Sequence, residues 1–186
     1  MTVRSNNRGP FIKSEGYVYS IFETAWGYVA LSGRQGRLSR VILPDPDKTV
    51  ILRELAEPGV AIARNDRLFG EIRERLTDYF AGREGEFWDI DLEMDWAGEF
   101  TYRVLDYCRK IGFGCTLTYG EFAAKLGKPG AARVVGQALA RNRLPVVIPC
   151  HRVIAADGSV GGYSARGGAA MKQRLLSLEK AYGNRR

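Results

Sequence analysis

The stretch TYGEFAAKLGKPGAARVVGQALARN, residues 118–142, reads as two short helices around a tight turn. Thr118 and Glu121 have the spacing of a capping box, in which the Thr118 hydroxyl accepts from the Glu121 amide and the Glu121 carboxylate returns to the Thr118 amide. The helix they start is expected to run to Leu126 and stop at Gly127. Lys128-Pro129-Gly130 cannot continue it and makes the turn. Ala131 to Arg141 then forms a second helix, with Asn142 at its C-terminal end. Such a pair in a basic region suggests a helix-turn-helix, but many helical hairpins bind nothing, so the motif alone leaves DNA contact open.

Downstream, Pro145-Val146-Val147-Ile148-Pro149 reads as an extended buried segment, and Met171 to Glu179 as a closing helix. Upstream, Phe100 to Ile111 is expected to be helical. Residues 17–22, 27–31 and 38–43 read as strands, with Gly33-Arg34-Gln35-Gly36 as a turn between the last two. A helix is expected near Val50 to Glu57. Another begins with Asp66 as N-cap and puts Leu68, Ile72, Leu76, Tyr79 and Phe80 on one apolar face before Gly82. Phe87 to Leu92 alternates like a half-buried strand. The expected fold class is α+β: a lead-in over residues 1–15, a small α/β domain with an antiparallel sheet over 16–95, and a mainly helical domain over 96–186.

The charge balance changes near that boundary. Residues 1–99 hold 13 Lys/Arg against 17 Asp/Glu, a net −4, whereas residues 100–186 hold 15 against 4, a net +11, ending in Arg185-Arg186. A basic half joined to a mildly acidic one points to a polyanion partner, although a solubilising basic face would read the same way. Apolar residues make up 45% of the 186, enough for an ordinary core. No apolar run approaches the roughly 18 residues a spanning helix needs. Met1 to Pro10 is polar, without the apolar segment of a secretory signal, so the expected location is inside the cell, in cytoplasm or nucleoid, or the nucleus of a eukaryote. Cys108, Cys115 and Cys150 are odd in number and widely spaced, which suits reduced thiols. His151 is the only histidine and no C-x-x-C pair occurs, so no metal site is expected.

Pro149-Cys150-His151-Arg152-Val153 carries the chemistry. A thiol reacts as its thiolate, with an ordinary pKa of about 8.5, and needs a base or a positive charge to react near neutral pH. His151 lies next to Cys150, but adjacent side chains on an extended backbone point apart, so a bridging water is the expected link. A histidine base needs an orienting carboxylate. The basic half offers Asp106, Glu121, Asp157 and Glu179; Glu121 is committed to capping, which favours Glu179. The residues alone leave a second reading open, a buried structural cysteine beside a core histidine.

Pro149-Cys150-His151-Arg152-Val153-Ile154, followed by Gly161-Gly162-Tyr163-Ser164, resembles the active-site signature of the O6-alkylguanine-DNA alkyltransferases, also called methylated-DNA–protein-cysteine methyltransferases. The resemblance extends through Thr118-Tyr119-Gly120-Glu121, residues 131–136, Arg141-Asn142, Met171-Lys172 and Leu178-Glu179, and more weakly to Tyr79-Phe80-Ala81-Gly82. It implies irreversible transfer of a methyl or small alkyl group from guanine O6, and to a lesser extent thymine O4, in duplex DNA to Cys150. His151 would deprotonate Cys150 through water, and Glu179 would fix the histidine tautomer. Asn142 would bridge the recognition helix to the active-site segment. Arg133 would fill the space of the extruded base and Tyr119 would press on the neighbouring phosphate. Ala132, Val134, Gly136 and Leu139 would face the minor groove. The Tyr163 hydroxyl would donate to guanine N3 and the Ser164 region to O6, while the carbonyls of Cys150 and Val153 would accept from the exocyclic amine. The resemblance further implies a ribonuclease-H-like N-terminal domain, a monomer, and no cofactor, because the damaged base is itself the alkyl donor.

Two other readings stand beside it: a non-catalytic lesion-binding relative, which would lack the acceptor cysteine retained here, and a helix-turn-helix regulator with an incidental cysteine. Where the family has two glycines after its Tyr-Ser pair, this chain has Ala165-Arg166-Gly167-Gly168, about two residues longer and basic. That loop is expected to border the alkyl pocket. Residues 1–99 contain neither Cys nor His, so the N-terminal zinc site of some relatives cannot form.

Overall fold

A computed structural model describes residues 16–56, 62–67, 69–83 and 85–183. The lead-in over 1–15, Glu57, Leu68 and Arg185-Arg186 lie outside the described residues. The architecture is mixed α/β, with an antiparallel-rich sheet and six α-helices among the described residues. Strands β1 (Tyr17–Thr24), β2 (Gly27–Arg34) and β3 (Arg37–Asp45) form an antiparallel meander, and the short β4 (Ala63–Arg64) adds to β1 in parallel. Only Gln35-Gly36 turns the chain between β2 and β3, both at positive φ (52° and 81°), as a two-residue hairpin on twisted strands requires.

Successive strand residues serve opposite faces. Ile21, Ala30 and Ile42 pack against Ile51 and Leu55 of α1 (Lys48–Leu55), which starts earlier than expected because Asp47 caps it by accepting from the Thr49 N–H. Their neighbours Phe22, Val29, Leu31, Val41 and Leu43 point the other way, into the main core. That core continues without a break through α2 (Gly70–Phe80) and into the C-terminal half as far as Leu175.

Two N-terminal expectations are corrected. Asp66 does not cap α2, which begins at Gly70 after Phe69. Its carboxylate accepts instead from Arg64 Nε (2.9 Å) and Ser20 Oγ (3.0 Å), fastening β4 to β1. A guanidinium is the stronger partner for a carboxylate than a helix N–H. The apolar face of Ile72, Leu76, Tyr79 and Phe80 is as the spacing predicts. Phe87 to Leu92 is not a strand but a turn, meeting β3 through a single bridge, Leu92 to Leu38. Phe87, Ile90 and Leu92 are buried, but the carbonyls of Phe87, Trp88 and Ile90 accept from the Arg109 guanidinium (3.2, 2.6 and 2.7 Å), so a side chain replaces the missing ladder.

The C-terminal half contains α3 (Glu99–Cys108), α4 (Tyr119–Lys125), α5 (Ala132–Leu139) and α6 (Gly168–Gly183). β5 (Leu117–Thr118) pairs in parallel with β6 (Val153–Ile154). Both bonds of the Thr118–Glu121 capping box form, and Gly127 follows α4 at φ 72°. α5 packs on α3 and α4. Residues 145–149 are buried but not extended. Val146 has φ 73°, and the chain folds back so that the Ile148 N–H donates to the Leu144 carbonyl at 2.7 Å. A β-branched residue in that region is strained, and its burial among Leu144, Val147 and Ile148 holds it there. No helix among the described residues is long and apolar enough to cross a membrane.

Ile51 is fully buried where α1 meets the sheet, on the face away from the main core. Ile51→Ala is expected to lower stability by about 2–5 kcal/mol, read as a reduced denaturant midpoint with unchanged slope.

Candidate active site

Three elements position Cys150. The folded-back 144–148 segment delivers it to a single 3₁₀ turn, Cys150–Arg152. Asn142, just beyond α5, then locks the approach. Its Nδ2 donates to the Ile148 carbonyl at 2.9 Å and to Cys150 Sγ at 3.1 Å, while its Oδ1 accepts from the Leu144 N–H at 2.9 Å. One buried amide thus ties the end of α5, the strained segment and the thiol together. Burial pushes the Cys150 pKa above its ordinary value, opposed by the Asn142 hydrogen bond and the charge of Lys172.

Behind the thiol lies a fully buried carboxylate. Glu179 on α6 accepts from His151 Nε2 (2.8 Å), the Tyr79 hydroxyl (2.8 Å), Arg152 Nε and Nη2 (2.9 Å each) and the Gly114 N–H (2.9 Å). Burial alone would raise its pKa, but the hydrogen bonds from His151 and Arg152, with the Arg152 charge, outweigh that and hold it well below the ordinary carboxylate value. An ionised carboxylate only accepts, so the proton of His151 sits on Nε2 and Nδ1 is left with a lone pair. Nδ1 is buried and has no protein hydrogen-bond partner among the described residues. Burial lowers the His151 pKa more than Glu179 raises it, so the ring is neutral near pH 7 and Arg152 is the charge that keeps Glu179 ionised. Cys150 and His151 share no hydrogen bond, and they sit on a 3₁₀ turn, so the extended geometry expected for this stretch is corrected.

Cys150 opens onto a cavity of about 660 Å³ between α5 and residues 162–164. Tyr119, Ala132, Arg133, Gly136, Leu139, Tyr163 and Ser164 line it with Cys150. Gly136 faces Tyr119, where a Cβ would meet the ring at 3.5 Å, an ordinary van der Waals contact. The Tyr163 hydroxyl is buried without a hydrogen-bond partner of normal geometry, yet lies close enough to Cys150 to lower the thiol's pKa. Val134 does not line the cavity; it is 49% exposed on the outer side of α5. Val153 is buried behind Cys150, and its N–H donates to the Cys150 carbonyl. Each of the two carbonyls expected to meet a base therefore already accepts once, Val153 from Lys172 Nζ at 2.6 Å.

Sequence reasoning missed three members of this assembly. Lys172 is fully buried, with its ammonium 5.6 Å from the centre of the Tyr119 ring. Arg152 and Tyr79 complete the shell around Glu179. Arg152 adjoins the Cys-His pair and Tyr79 falls on the apolar stripe of α2. Neither position signals a carboxylate partner 27 or 100 residues away.

Residues 99–181 match the family model described as 6-O-methylguanine DNA methyltransferase, DNA binding domain. A methylated-DNA–protein-cysteine methyltransferase of Mycolicibacterium paratuberculosis is 39% identical over 166 residues, spanning 88% of this chain and 93% of that protein. One from Methanosarcina acetivorans is 37% identical, spanning 87% and 97%. The crystal structure of Mycobacterium tuberculosis OGT in complex with DNA superposes with a TM-score of 0.73 at 33% identity, covering 88% of this chain and 93% of that one. The chain belongs to the methylated-DNA–protein-cysteine methyltransferase family.

Proposed function

We propose that this chain is a single-turnover DNA repair enzyme that moves a methyl or small alkyl group from guanine O6, and less readily from thymine O4, in duplex DNA to Cys150. The observation that carries the reading is a thiol at a cavity beside α5, backed by a neutral histidine whose free nitrogen is held ready by a buried carboxylate. The thiol proton passes through water to His151 Nδ1. The thiolate attacks the alkyl carbon, the S–C bond forms as the C–O bond breaks, and the electron pair leaves on the guanine. A hydrogen bond or proton from the unpartnered Tyr163 hydroxyl, with Ser164 near O6, stabilises the departing base. Asn142 orients the thiol, and the Cys150 and Val153 carbonyls each keep a second lone pair for the exocyclic amine. The thioether has no route back to thiol. No cofactor enters, because the lesion supplies the alkyl group.

The lesion lies inside a duplex, so the nucleotide has to be extruded. We read α4, the 127–131 turn and α5 as a helix-turn-helix that enters the minor groove. Ala132, Val134 and Gly136 would face the groove, Arg133 the vacated stack and Tyr119 a phosphate; Leu139, expected there too, is buried in the core and lines the pocket instead. Supporting this, Lys125, Lys128, Arg133, Arg141 and Arg143 are exposed across residues 119–143, whose one acidic residue, Glu121, is spent on capping. The N-terminal half, with its boundary near residue 96, is read as a ribonuclease-H-like domain, and the protein as an intracellular monomer. A lesion-binding protein without chemistry is the weaker reading, since this chain retains the acceptor thiol.

Incubation with a duplex containing one O6-methylguanine is expected to add one methylene equivalent per molecule to the peptide holding Cys150, and none to Cys150→Ser, by intact and peptide mass spectrometry. Repeated turnover, or an unmodified protein after the lesion has disappeared, refutes the mechanism. The single-turnover rate should also be flat over a wide pH range. The lowered His151 pKa extends the plateau below 6.5, that group's ordinary value, and the raised Cys150 pKa keeps the thiol protonated past its own ordinary range. A rate that fell by half near pH 6.5 would contradict a buried neutral histidine as base.

A further inference from the structure

Tyr163 to Arg166 lies between two glycine pairs, Gly161-Gly162 and Gly167-Gly168, of which Gly161, Gly167 and Gly168 sit at positive φ (66°, 80° and 54°). Its first two residues, Tyr163 and Ser164, form the cavity wall facing α5. Glycine on both sides gives such a panel torsional freedom at each end, so side chains must fix where it stands. Tyr163 and Ala165 lean on the core. The Ala165 carbonyl accepts from the Gly168 N–H at 3.0 Å, and the anchor to the N-terminal half is Arg166, whose Nε and Nη2 donate to Asp45 Oδ2 at 2.9 and 2.6 Å and whose Nη1 donates to Glu54 Oε2 at 3.2 Å. Asp45 ends β3 and Glu54 lies on α1, so a wall of the C-terminal pocket is bolted to the N-terminal sheet and helix.

We propose that Arg166 is a specificity-determining positioning residue: through Asp45 and Glu54 it holds the hinged 163–166 wall in toward Cys150 and so limits the size of the alkyl group admitted. The proposal rests on the reading of Cys150 as alkyl acceptor. On this proposal a methyl group is accepted with the wall in place, whereas a benzyl group is accepted as the wall moves outward and the guanidinium leaves both carboxylates. The clamp therefore opposes bulky substrates more than it opposes methyl transfer. Its strength depends on salt, because the Arg166 side chain is 31% exposed and its partners 17% and 33%.

The test uses the full chain and two duplexes of one sequence, carrying O6-methylguanine or O6-benzylguanine, so that DNA affinity cancels in the ratio of transfer rates. Arg166→Ala is expected to raise the benzyl-to-methyl ratio roughly fivefold, the scale a partly exposed ion-pair network supports. Asp45→Asn/Glu54→Gln should raise it equally, and combining all three changes should add nothing further. Raising the salt should lift the wild-type ratio and leave that of Arg166→Ala fixed. Should Arg166→Ala fail to fold, the carboxylate pair alone decides. An unchanged ratio in a folded variant, or a shift in Arg166→Ala that the carboxylate changes do not reproduce, overturns the clamp. A wild type that accepts neither group removes the alkyl-acceptor reading, and the proposal with it.

Discussion

Glu179 is a carboxylate taken almost wholly out of water, and much of the C-terminal half is arranged around satisfying it. Burying an ion pair is costly unless every lone pair and proton finds a partner. Here the partners come from across the chain: Tyr79 from α2, Gly114 from the loop after α3, and His151 and Arg152 from the 3₁₀ turn. The same contacts that offset the desolvation fix the imidazole's orientation and leave Nδ1 unpartnered on the protein side. Stability and reactivity therefore share one set of bonds. Removing the carboxylate would leave the Arg152 guanidinium buried without its counter-ion, which typically costs about 3–5 kcal/mol.

The surroundings of Cys150 differ in stiffness. On one side the thiol is held by Asn142 and by a segment strained at Val146, both deep in the core. Strain of this kind persists only where packing over-determines it. On the other side the pocket wall stands between glycine pairs and is held by an ion pair near the surface. The nucleophile is thus held by the core and the wall by surface charges, and on the proposal above that division suits one kind of bond-making on lesions of different size. Arg166 also makes the N-terminal sheet more than a prop: its edge bears on the pocket.

Local signals in the sequence were enough for the elements that depend on local chemistry. The capping box at Thr118, the left-handed Gly127 and the period-two strands each encode their structure within a few residues. Cys150, His151, Asn142 and Glu179 were also legible, through spacing and a family resemblance. The failures share a different cause. Asp66 gave up its capping role to Arg64, and the 87–92 segment lost its ladder to Arg109. Val146 was turned into the left-handed region by packing around it. Tyr79 read as part of an apolar stripe, and Arg152 and Lys172 fell within the family resemblance without a role of their own. In every case the deciding partner is distant in sequence or outside the local pattern, so propensity could not register it.

The central claim is that a buried, ionised Glu179 holds His151 as a neutral base with its lone pair on Nδ1. Nitrogen-15 NMR of the single histidine reads this directly, with no substrate or turnover required. Near pH 7 the account predicts a protonated Nε2 and an unprotonated Nδ1. A ring protonated on Nδ1, or on both nitrogens, would contradict it.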